Sequence, residues 1–482
     1  MKIPRHIFRE YDIRGVAERD LSDDLARELG RAFAFVLRKD VVSARGSGSP
    51  SASSAPNPAP RVAVARDGRL SSDRLFAALS EGLLAGGADV VFVGVGPTPM
   101  LYFAAHHLET HGAIMITASH NPAPDNGFKM MRGKSSFYGA DIQALADLIE
   151  QGVALAEPPA ARGKLSETSV VAPYIESVRR SSRLTRTDVR FVIDAGNGAA
   201  GPLGVATLSA LGLSPEALYC DIDGTFPNHH PDPTVPANLA ALRERVLATG
   251  ATFGVAWDGD GDRVGAIDET GEVIWGDKLL LLYARALLRE HPGATILGEV
   301  KCSETLYADI AKHGGRPIVW KTGHSLIKTK MKEEHALLAG EMSGHMFFAD
   351  RWPGFDDAVY ATVRLVEIVA AEGKTLRELL ADVPPTFATP EIRVDCPDAL
   401  KFAVVADVVA HYRGKRPVLD IDGGRFDFGD GAWGLCRASN TQPVLVLRFE
   451  AATPERRDEI RREVEGVVAD AIRRATEAGG HP

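Results

Sequence analysis

The chain reads Gly112-Ala-Ile-Met-Ile-Thr-Ala-Ser-His-Asn-Pro122 where a short apolar run passes directly into a polar loop. The run Gly112–Thr117 is typical of a buried strand, and the residues after it carry hydroxyl, imidazole and amide groups. The same order recurs at Arg190–Asp194 and at Thr252–Trp257, each followed by glycines and polar residues. Strands of this kind that alternate with amphipathic stretches predict α/β domains with mostly parallel sheets.

This alternation continues on either side until about Pro384. Arg61–Arg66 is predicted to be a strand, and Ser72 is predicted to be the N-cap of a helix over Asp73–Leu84. Beyond Pro384, short strands separated by glycine turns and a closing amphipathic helix over Pro454–Thr476 predict a smaller α+β domain.

The length of 482 residues exceeds what one hydrophobic core usually supports, so several domains are expected. The pattern predicts three tandem mixed α/β domains over residues 1–165, 166–270 and 271–384, and the α+β domain over residues 385–482. The segment Ser43–Pro60 consists of Ser, Ala, Gly and Pro with almost no large apolar residue. Because it cannot bury enough apolar surface to offset its ordering entropy, it predicts a flexible insertion in a surface loop of the first domain.

The composition is that of an ordinary globular protein, with 45% hydrophobic residues, 25% charged residues and a formal net charge of −9. The negative charge argues against nonspecific nucleic-acid binding, which needs a basic surface. The four cysteines lie far apart without a Cys-x-x-Cys pair, so neither a disulfide framework nor a zinc site is indicated. No apolar run approaches the roughly 20 residues of a membrane span, and the charged first residues are unlike a signal peptide. We therefore expect a cytoplasmic protein that binds neither nucleic acid nor membrane.

A second motif, Asp258-Gly-Asp-Gly-Asp-Arg263, places three carboxylates at alternate positions, with glycines that let the backbone wrap around a small cation. An EF-hand calcium loop is the main alternative, since Glu269 falls at its twelfth position. However, Arg263 stands at the sixth position, where such loops need glycine, and both flanks are predicted to be strands. A site of three carboxylates that leaves room for a phosphate oxygen suits Mg²⁺ better.

Ser119 follows the first quoted strand, where α/β proteins place ligand-binding loops. His120 and Lys129 supply donors suited to phosphate oxygens. A serine that carries a phosphoryl group opposite a divalent cation would form a phosphoryl-transfer site. The alternative is a serine that only stabilises the turn before Pro122.

Two later motifs combine groups that bind sugars and phosphates. Glu341 and Ser343, in Gly340-Glu-Met-Ser-Gly-His345, can bond vicinal sugar hydroxyls. The stretch Arg437-Ala-Ser-Asn-Thr-Gln-Pro443 carries a guanidinium, two hydroxyls and an amide, which can hold the oxygens of a dianion. Ordinary polar loops are the alternative in both places.

Four further residues are weaker candidates when taken singly. Arg14 lies near the N-terminus, where an isolated arginine is usually solvated, and Lys301 follows a predicted strand. His324 and His345 could act as acid/base groups because an imidazole titrates near neutral pH, although an isolated histidine is usually structural.

Taken in order, five of these motifs resemble the α-D-phosphohexomutase superfamily over essentially the whole chain. The motif around Met342 is most similar to that of the bacterial phosphomannomutase/phosphoglucomutase group. Phosphoglucosamine mutases typically carry Gln in place of Met342, which makes that activity the alternative. The five motifs begin at Tyr11, Thr117, Asp258, Gly340 and Arg437.

The resemblance implies four domains arranged around a central cleft, each contributing one loop. It implies that Ser119 is the phosphoserine and that it binds Mg²⁺ together with the carboxylates of Asp258, Asp260 and Asp262. The remaining candidates fall into two groups by their implied role. The residues around the reacting groups are Arg14, His120, Lys129, Arg263, His324 and His345, and the substrate-binding residues are Tyr11, Lys301, Glu341, Ser343, Arg437, Ser439, Asn440 and Thr441.

Members of this superfamily interconvert hexose 6-phosphates and hexose 1-phosphates through a hexose 1,6-bisphosphate, which is both intermediate and activator. The resemblance therefore implies a mutase for the hexose phosphates of mannose, glucose or both, which supplies nucleotide-sugar and polysaccharide synthesis. We expect a monomer, with a dimer as the alternative. The competing interpretations are a non-catalytic protein that binds calcium or sugar phosphates, and a hydrolase that uses the same metal site.

Overall fold

The computed structural model of the protein describes residues 1–46, 59–440 and 442–479. The chain forms two compact units. The first comprises Met1–Trp275 and Ser343–Glu378, and the second comprises Gly276–Met342 and Leu379–Pro482. Within the described ranges, none of the helices has an apolar stretch of the length that a bilayer crossing needs.

The first unit begins with a sheet of seven strands. These strands are β1 (Ile13–Val16), β2 (Arg61–Arg66), β3 (Asp89–Val95), β4 (Gly112–Ile116), β5 (Asp125–Arg132), β6 (Ser135–Phe137) and β7 (Leu165–Glu167). Their order is β1-β5-β4-β2-β3-β7, with β6 beside β5. The centre is parallel, because β2 pairs in parallel with both β3 and β4, whereas β5 is antiparallel to β4 and to β1.

Helices pack on this sheet, and apolar side chains from helices and strands together form the core. After a 3₁₀ turn at Arg5–Ile7, the helices are α1 (Ala17–Asp20), α2 (Asp23–Gly46), α3 (Ser72–Ala85), α4 (Thr98–His107), α5 (Ala140–Gln151) and α6 (Val153–Ala156). Leu25, Leu29, Phe33 and Leu37 recur every fourth residue, so they form one apolar face of α2. That face is buried in a core that also contains Ile114 of β4.

Two predictions in this region are wrong in detail. Ser72 lies inside α3, and the N-cap position is Ser71, because the Ser72 hydroxyl donates to Asp67 Oδ1 at 2.5 Å instead of capping the helix. The helix α2 continues to Gly46, so the first residues of the predicted insertion Ser43–Pro60 are helical. Residues 47–58 of that insertion lie outside the described residues.

A second sheet in the first unit contains five strands, in the order β12-β11-β10-β8-β9, which are β8 (Phe191–Asp194), β9 (Glu216–Leu218), β10 (Phe253–Trp257), β11 (Val264–Asp268) and β12 (Val273–Ile274). The strand β8 is parallel to β9 and β10, while β10 and β11 form an antiparallel hairpin. The helices here are α7 (Val171–Ser181), α8 (Gly201–Ala210) and α9 (Ala240–Thr249), with a 3₁₀ turn at Pro236–Leu239.

The second unit begins with alternating helices and parallel strands. They are α10 (Gly276–Glu290), β13 (Thr295–Glu299), α11 (Glu304–Lys312), β14 (Arg316–Trp320), α12 (His324–Glu334) and β15 (Leu338–Gly340). The central strand β13 pairs in parallel with both β14 and β15.

The chain then returns to the first unit with β16 (Met346–Phe348) and α13 (Ala358–Glu372), and leaves it at α14 (Leu376–Leu379). Two buried hydrogen bonds hold α13 there. Trp257 Nε1 donates to Thr362 Oγ1 at 2.9 Å, and the Tyr174 hydroxyl donates to the Asp357 carboxylate at 2.9 Å.

The rest of the second unit is an antiparallel sheet with two helices on it. Its elements are β17 (Phe387–Ala388), β18 (Ile392–Asp395), α15 (Lys401–Tyr412), β19 (Val418–Leu419), β20 (Gly424–Asp427), β21 (Trp433–Ala438), β22 (Val444–Ala451) and α16 (Pro454–Gly479). The observed sheets confirm the predicted fold class of mixed α/β domains with mostly parallel sheets followed by a smaller α+β domain.

Candidate functional site

Ser119 lies three residues after the end of β4, in a sharply turned loop. Its φ of 53° is in the left-handed region that non-glycine residues rarely adopt. The Ser119 amide donates to Thr117 Oγ1 at 2.9 Å, and the residue is 2% exposed. The nucleophile candidate Ser119 therefore lies on a buried, hydrogen-bonded backbone and not at the exposed tip of a loop.

The loop of residues 258–263, called the acidic loop below, follows β10 and turns tightly on itself. Asp258 Oδ1 accepts the backbone N–H groups of Asp262 and Arg263, both at 3.1 Å, so this carboxylate caps its own loop. The side chains of Asp258, Asp260 and Asp262 are fully buried. Because the loop joins two strands, it is not an EF-hand, which needs a helix on each side.

Residues 117–125, called the serine loop below, run from the end of β4 to the first residue of β5. This loop is in direct contact with the acidic loop. Ser119 Oγ donates to Asp258 Oδ2 at 2.7 Å. The backbones also approach closely, since a Cβ added at Gly259 would lie 2.4 Å from the Ser119 carbonyl oxygen. The structure thus brings together the two motifs that the sequence singled out 139 residues apart.

Lys129 reaches this site from β5. Its Nζ donates to Asp260 Oδ2 and to Asp262 Oδ2, both at 2.6 Å. Burial lowers the pKa of Lys129, but the charges of the two carboxylates outweigh burial and raise that pKa above its usual value. Lys129 is therefore a charged donor in this arrangement.

Asp258 and Asp260 differ in their pKa. Burial raises the pKa of Asp258 well above its ordinary value, and the neighbouring charges of Asp260 and Asp262 raise it further. Burial also acts on Asp260, but the charge and hydrogen bond of Lys129 outweigh burial and lower the pKa of Asp260. The ammonium group of Lys129 thus compensates only part of the negative charge of the acidic cluster.

The acidic cluster can hold a metal ion. Asp258, Asp260 and Asp262 each offer a carboxylate oxygen, and these oxygens lie within 4.8 Å of one another. Within the described ranges, Asp260 Oδ1 and Asp262 Oδ1 are buried without a hydrogen-bond partner. Carboxylate oxygens are the ligands that Mg²⁺ and Ca²⁺ prefer, so the residues present fit such a cation.

Arg263 and His345 are linked in the same region. Arg263 Nε donates to His345 Nε2 at 2.9 Å, so that imidazole nitrogen is an acceptor. His345 Nδ1 then carries the proton, and it lies 2.9 Å from Asp356 Oδ2. The hydrogen bond to His345 consequently fixes the direction of the Arg263 guanidinium beside the acidic loop.

Arg14 and His120 border the serine loop. Arg14 Nη1 donates to Asn121 Oδ1 at 2.8 Å, and its side chain is 13% exposed, so it is not the solvated arginine of the alternative interpretation. His120 Nδ1 lies 3.1 Å from Ser119 Oγ. Burial, with the charges of Arg263 and Arg14, holds the pKa of His120 well below its usual value, so the imidazole is neutral near pH 7.

Several other candidates lie in the second unit, where Glu299 joins three loops. This buried carboxylate accepts hydrogen bonds from the Lys301 amide at 2.8 Å, from Thr322 Oγ1 at 2.8 Å and from the Met342 amide at 3.3 Å. Glu341 Oε1 accepts the Gly323 amide at 3.1 Å. The loops that carry Lys301, His324 and Glu341 are therefore held against one another.

In the same unit, Arg437 is fixed by Asp422, whose Oδ2 accepts from Arg437 Nε and from the Thr322 amide, both at 3.0 Å. Lys301 Nζ donates to Glu391 Oε2 at 3.3 Å. The other predicted site residues are placed as follows: Ser439 is buried, Asn440 and His324 are half-buried in the second unit, Tyr11 and Ser343 are half-buried in the first unit, and Thr441 lies outside the described residues.

The networks also contain residues that were not predicted, among them Asp12, Asn121, Glu299, Asp356 and Asp422. Asn121 stands inside the quoted serine motif, and Asp12, which directly follows Tyr11, forms an ion pair with Arg14. Glu299 ends a buried strand, where a fully buried carboxylate needs partners, so its position was a usable signal. Asp356 and Asp422 gave no sequence signal because they stand outside the quoted motifs, although His345 and Arg437 lie only 11 and 15 residues away.

Comparison with known proteins identifies the family. Family models described as phosphoglucomutase/phosphomannomutase match the chain in order: alpha/beta/alpha domain I over residues 5–154, domain II over 172–271, domain III over 275–387 and the C-terminal domain over 391–467. The chain therefore belongs to the phosphoglucomutase/phosphomannomutase family, and its resemblance to the α-D-phosphohexomutase superfamily is confirmed.

Individual relatives agree with this assignment. The phosphomannomutase/phosphoglucomutase of Pseudomonas aeruginosa is 43% identical over 460 residues, which cover 95% of this chain and 94% of the relative. A phosphoglucomutase of Neisseria meningitidis is 40% identical over 469 residues, 97% of each chain. The crystal structure of a phosphoglucomutase/phosphomannomutase family protein from Burkholderia thailandensis matches with a TM-score of 0.85 at 40% identity, over 99% of this chain and 98% of that chain. The chain is thus an enzyme of the phosphohexomutase class.

Proposed function

We propose that this protein interconverts hexose 6-phosphates and hexose 1-phosphates of mannose, glucose or both, through a phosphorylated Ser119 and a hexose 1,6-bisphosphate. The observation that carries the proposal is the 2.7 Å hydrogen bond from Ser119 Oγ to Asp258, at the edge of a buried three-carboxylate loop. A hydroxyl in that position can hold a phosphoryl group where charge compensation is available. The relatives named above are phosphomannomutases and phosphoglucomutases, which supports the substrate class.

Asp258, Asp260 and Asp262 would hold Mg²⁺ together with a Ser119 phosphate oxygen, and the bound ion would neutralise charge on the transferring group. The residues around this loop supply the remaining positive charge. Arg263, which donates to His345, and the protonated Lys129 would stabilise the phosphoryl oxygens.

In the forward step, the bond between phosphorus and Ser119 Oγ breaks as a bond to the free sugar hydroxyl forms. The hydroxyl proton leaves the sugar through a base, and Ser119 Oγ regains a proton. Lys129, His324 and His345 are the candidates for moving these protons. The raised pKa of Lys129 suits the donor role, because Lys129 keeps its proton near neutral pH.

The substrate would be held by a separate group of residues. We assign the sugar hydroxyls to Glu341 and Ser343, and the phosphate that is not transferred to Arg437, Ser439, Asn440 and Thr441, with Tyr11 and Lys301 as further contacts. The bisphosphate must turn end for end between the two transfers. The phosphate-binding residues therefore need several interchangeable donors, and a guanidinium, hydroxyls and an amide provide them.

The decisive experiment is replacement of the nucleophile. Ser119→Ala should lower kcat by orders of magnitude while the fold remains intact, because no other hydroxyl contacts Asp258 within the described ranges. Intact mass should show the wild-type protein about 80 Da heavier when phosphorylated, and incubation with hexose 6-phosphate should remove this gain only from molecules that release the bisphosphate before the second transfer. Ser80→Ala, which removes a buried hydroxyl in α3, is the control and should leave turnover unchanged. Near-normal activity of Ser119→Ala without added bisphosphate would refute the assignment.

Substrate choice needs a separate measurement. Comparing kcat/KM for the 6-phosphates of mannose, glucose and glucosamine ranks the three sugars, and a preference for glucosamine would favour the phosphoglucosamine mutase alternative. Release of inorganic phosphate at the rate of isomerisation would instead indicate a hydrolase. Absence of both turnover and phosphoserine would indicate a binding protein.

We also propose that residues 1–165, 166–270, 271–384 and 385–482 are the four domains of a monomeric, cytoplasmic enzyme that supplies nucleotide-sugar and polysaccharide synthesis. The four matched family models support the division. The cysteines are all free thiols, which fits a reducing compartment. Light scattering after size-exclusion chromatography would test the assembly state.

A further inference from the structure

The two terminal nitrogens of the Arg69 guanidinium donate hydrogen bonds to backbone carbonyls of the serine loop. Its Nη1 donates to the carbonyl oxygens of Pro122 at 2.6 Å and Asp125 at 2.9 Å. Its Nη2 donates to the carbonyl oxygens of Ser119 at 2.8 Å and Asn121 at 2.6 Å. The two terminal nitrogens carry four N–H donors between them, so every one has an acceptor in the same loop.

The guanidinium is itself held in place from other directions. The Arg69 side chain is 0% exposed, and its Nε lies 3.2 Å from Asp67 Oδ2, the opposite charge that compensates its burial. The Asp67 carboxylate is in turn fixed by the Arg69 amide at 3.0 Å and by Ser72 Oγ at 2.5 Å. The ring of Phe226 lies 5.2 Å from Arg69 Cζ, in a cation–π contact.

This arrangement explains how the serine loop keeps its unusual shape. Loop carbonyls lack the partners that a sheet or helix would give them, and leaving them buried without one is costly. A non-glycine residue at a φ of 53°, as at Ser119, persists only when the surroundings over-determine it. Arg69 supplies that constraint at four points of the loop, without a hydrogen bond to the Ser119 hydroxyl.

We propose that Arg69 is the positioning residue of the nucleophile: it holds Ser119 Oγ in register with the acidic loop while touching neither the substrate nor the transferred group. The inference rests on the proposed function, in which Ser119 accepts and donates the phosphoryl group. Displacing a reacting atom by about 1 Å can cost on the order of 100-fold in rate, so loss of this support should appear in the chemical step. Substrate affinity should change little.

The test compares Arg69→Lys and Arg69→Met with the wild-type enzyme. Lysine keeps the charge but has one nitrogen with three donors, so it cannot serve four carbonyls in the guanidinium geometry. We expect kcat to fall by roughly 50-fold or more in Arg69→Lys, with KM for hexose 6-phosphate within about threefold of wild type. Hydrogen exchange at the amides of residues 119–126 should be at least about tenfold faster.

A matched control separates positioning from general stability. Arg364 is another buried arginine of the first unit, 5% exposed, which pairs with Asp350 and Glu367 and stacks on Phe348. We expect Arg364→Lys to lower the melting temperature while leaving kcat within about twofold and exchange in residues 119–126 unchanged. Phe226→Leu, which removes only the ring contact on Arg69, should give a smaller loss of the same kind as Arg69→Lys.

The outcomes are distinguishable. Arg69→Lys with kcat within about threefold of wild type, or with unchanged exchange in residues 119–126, would overturn the proposal. If Arg69→Met does not fold, Arg69→Lys and Phe226→Leu decide the question. If the wild-type protein shows neither mutase activity nor phosphoserine, the proposed function fails, and the positioning role fails with it even where exchange shows that Arg69 orders the loop.

Discussion

At the scale of single residues, the two carboxylate oxygens of Asp260 in the acidic loop have different surroundings. Asp260 Oδ2 accepts from Lys129 at 2.6 Å and also from the Thr98 hydroxyl, while Oδ1 is buried without a hydrogen-bond partner among the described residues. A buried carboxylate oxygen without a partner is costly, and a cation is the partner that such an oxygen suits best. Asp260 thus has one oxygen with hydrogen-bond partners and one without. The oxygen without a partner is the local reason to expect metal binding.

Asp260→Asn should therefore lower Mg²⁺ affinity by roughly 100-fold, because it removes one of the three charges and replaces one oxygen by an amide. Isothermal titration calorimetry on the purified protein measures the change. Asp268→Asn is the matched control, since Asp268 is also buried but only caps the turn between β11 and β12. Equal Mg²⁺ affinity in Asp260→Asn and wild type would contradict the assigned site.

The residue scale also shows what sequence could predict about the site. Ser119, Asp258, Asp260 and Asp262 stand in short continuous motifs, so the role proposed for them could be inferred before the fold was known. Arg69 was not, because its four acceptors lie 50 to 56 residues away and are backbone carbonyls, which carry no sequence signature.

At the scale of secondary-structure elements, the contact between two loops depends on a glycine. A Cβ at Gly259 would lie 2.4 Å from the Ser119 carbonyl oxygen, so any side chain there must push the loops apart. We expect Gly259→Ala to lower kcat by at least about tenfold with only a modest loss of stability. Gly466→Ala, inside α16 with no atom within 4 Å of the added Cβ, should leave kcat unchanged and stabilise the helix by up to about 1 kcal/mol. Steady-state kinetics and thermal unfolding of both variants test this pair.

The N-cap of α13 should make stability depend on pH. Asp357 accepts the Tyr360 amide at 2.9 Å, and burial raises the pKa of its carboxyl to about 7. The folded state then binds a proton that the unfolded chain has released, so this contribution to stability is complete below the unfolded pKa and is lost as pH rises through about 7. The variant Asp357→Asn has no titratable carboxyl at this position, so it should not lose this contribution to stability as pH rises.

The difference in the free energy of unfolding between Asp357→Asn and wild type should thus shift in favour of the variant by about 1.4 kcal/mol per pH unit between roughly pH 5 and 7. Urea unfolding across that range measures the slope. A difference independent of pH would show that Asp357 titrates normally.

Elements were the best-predicted level of the structure. Arg61–Arg66 has the predicted bounds because it is a short apolar run between breaks in the pattern, and the closing helix begins at Pro454 as predicted. Ser72 failed as a cap because a tertiary contact with Asp67 competes for its hydroxyl. Side-chain competition of this kind is settled by the fold and not by local propensity.

At the scale of the whole molecule, the division into compact units follows contacts between distant segments. The segment Ser343–Glu378 belongs with the first unit, where Trp257 and Tyr174 bond residues of α13 and its cap. Sequence patterning predicted the fold class but not this return of the chain, because both hydrogen bonds join residues more than 100 positions apart.

Metal binding should stabilise the molecule unevenly. The three carboxylates and Ser119 all lie in the first unit, so Mg²⁺ at 100 times its Kd should raise the stability of that unit by about 2.7 kcal/mol. Hydrogen exchange should slow in residues 117–129 and 257–264 and remain unchanged in the strands β13, β14 and β15. Equal slowing in both units, or none in the first, would contradict the placement of the ion.

The positive φ at Ser119 limits which residues can replace the proposed nucleophile. Threonine carries the same hydroxyl chemistry and is an equally good phosphate acceptor in principle. Its branched Cβ, however, is poorly tolerated in the left-handed region. Exchange of the proposed nucleophile for threonine is therefore opposed by backbone conformation and not by reactivity.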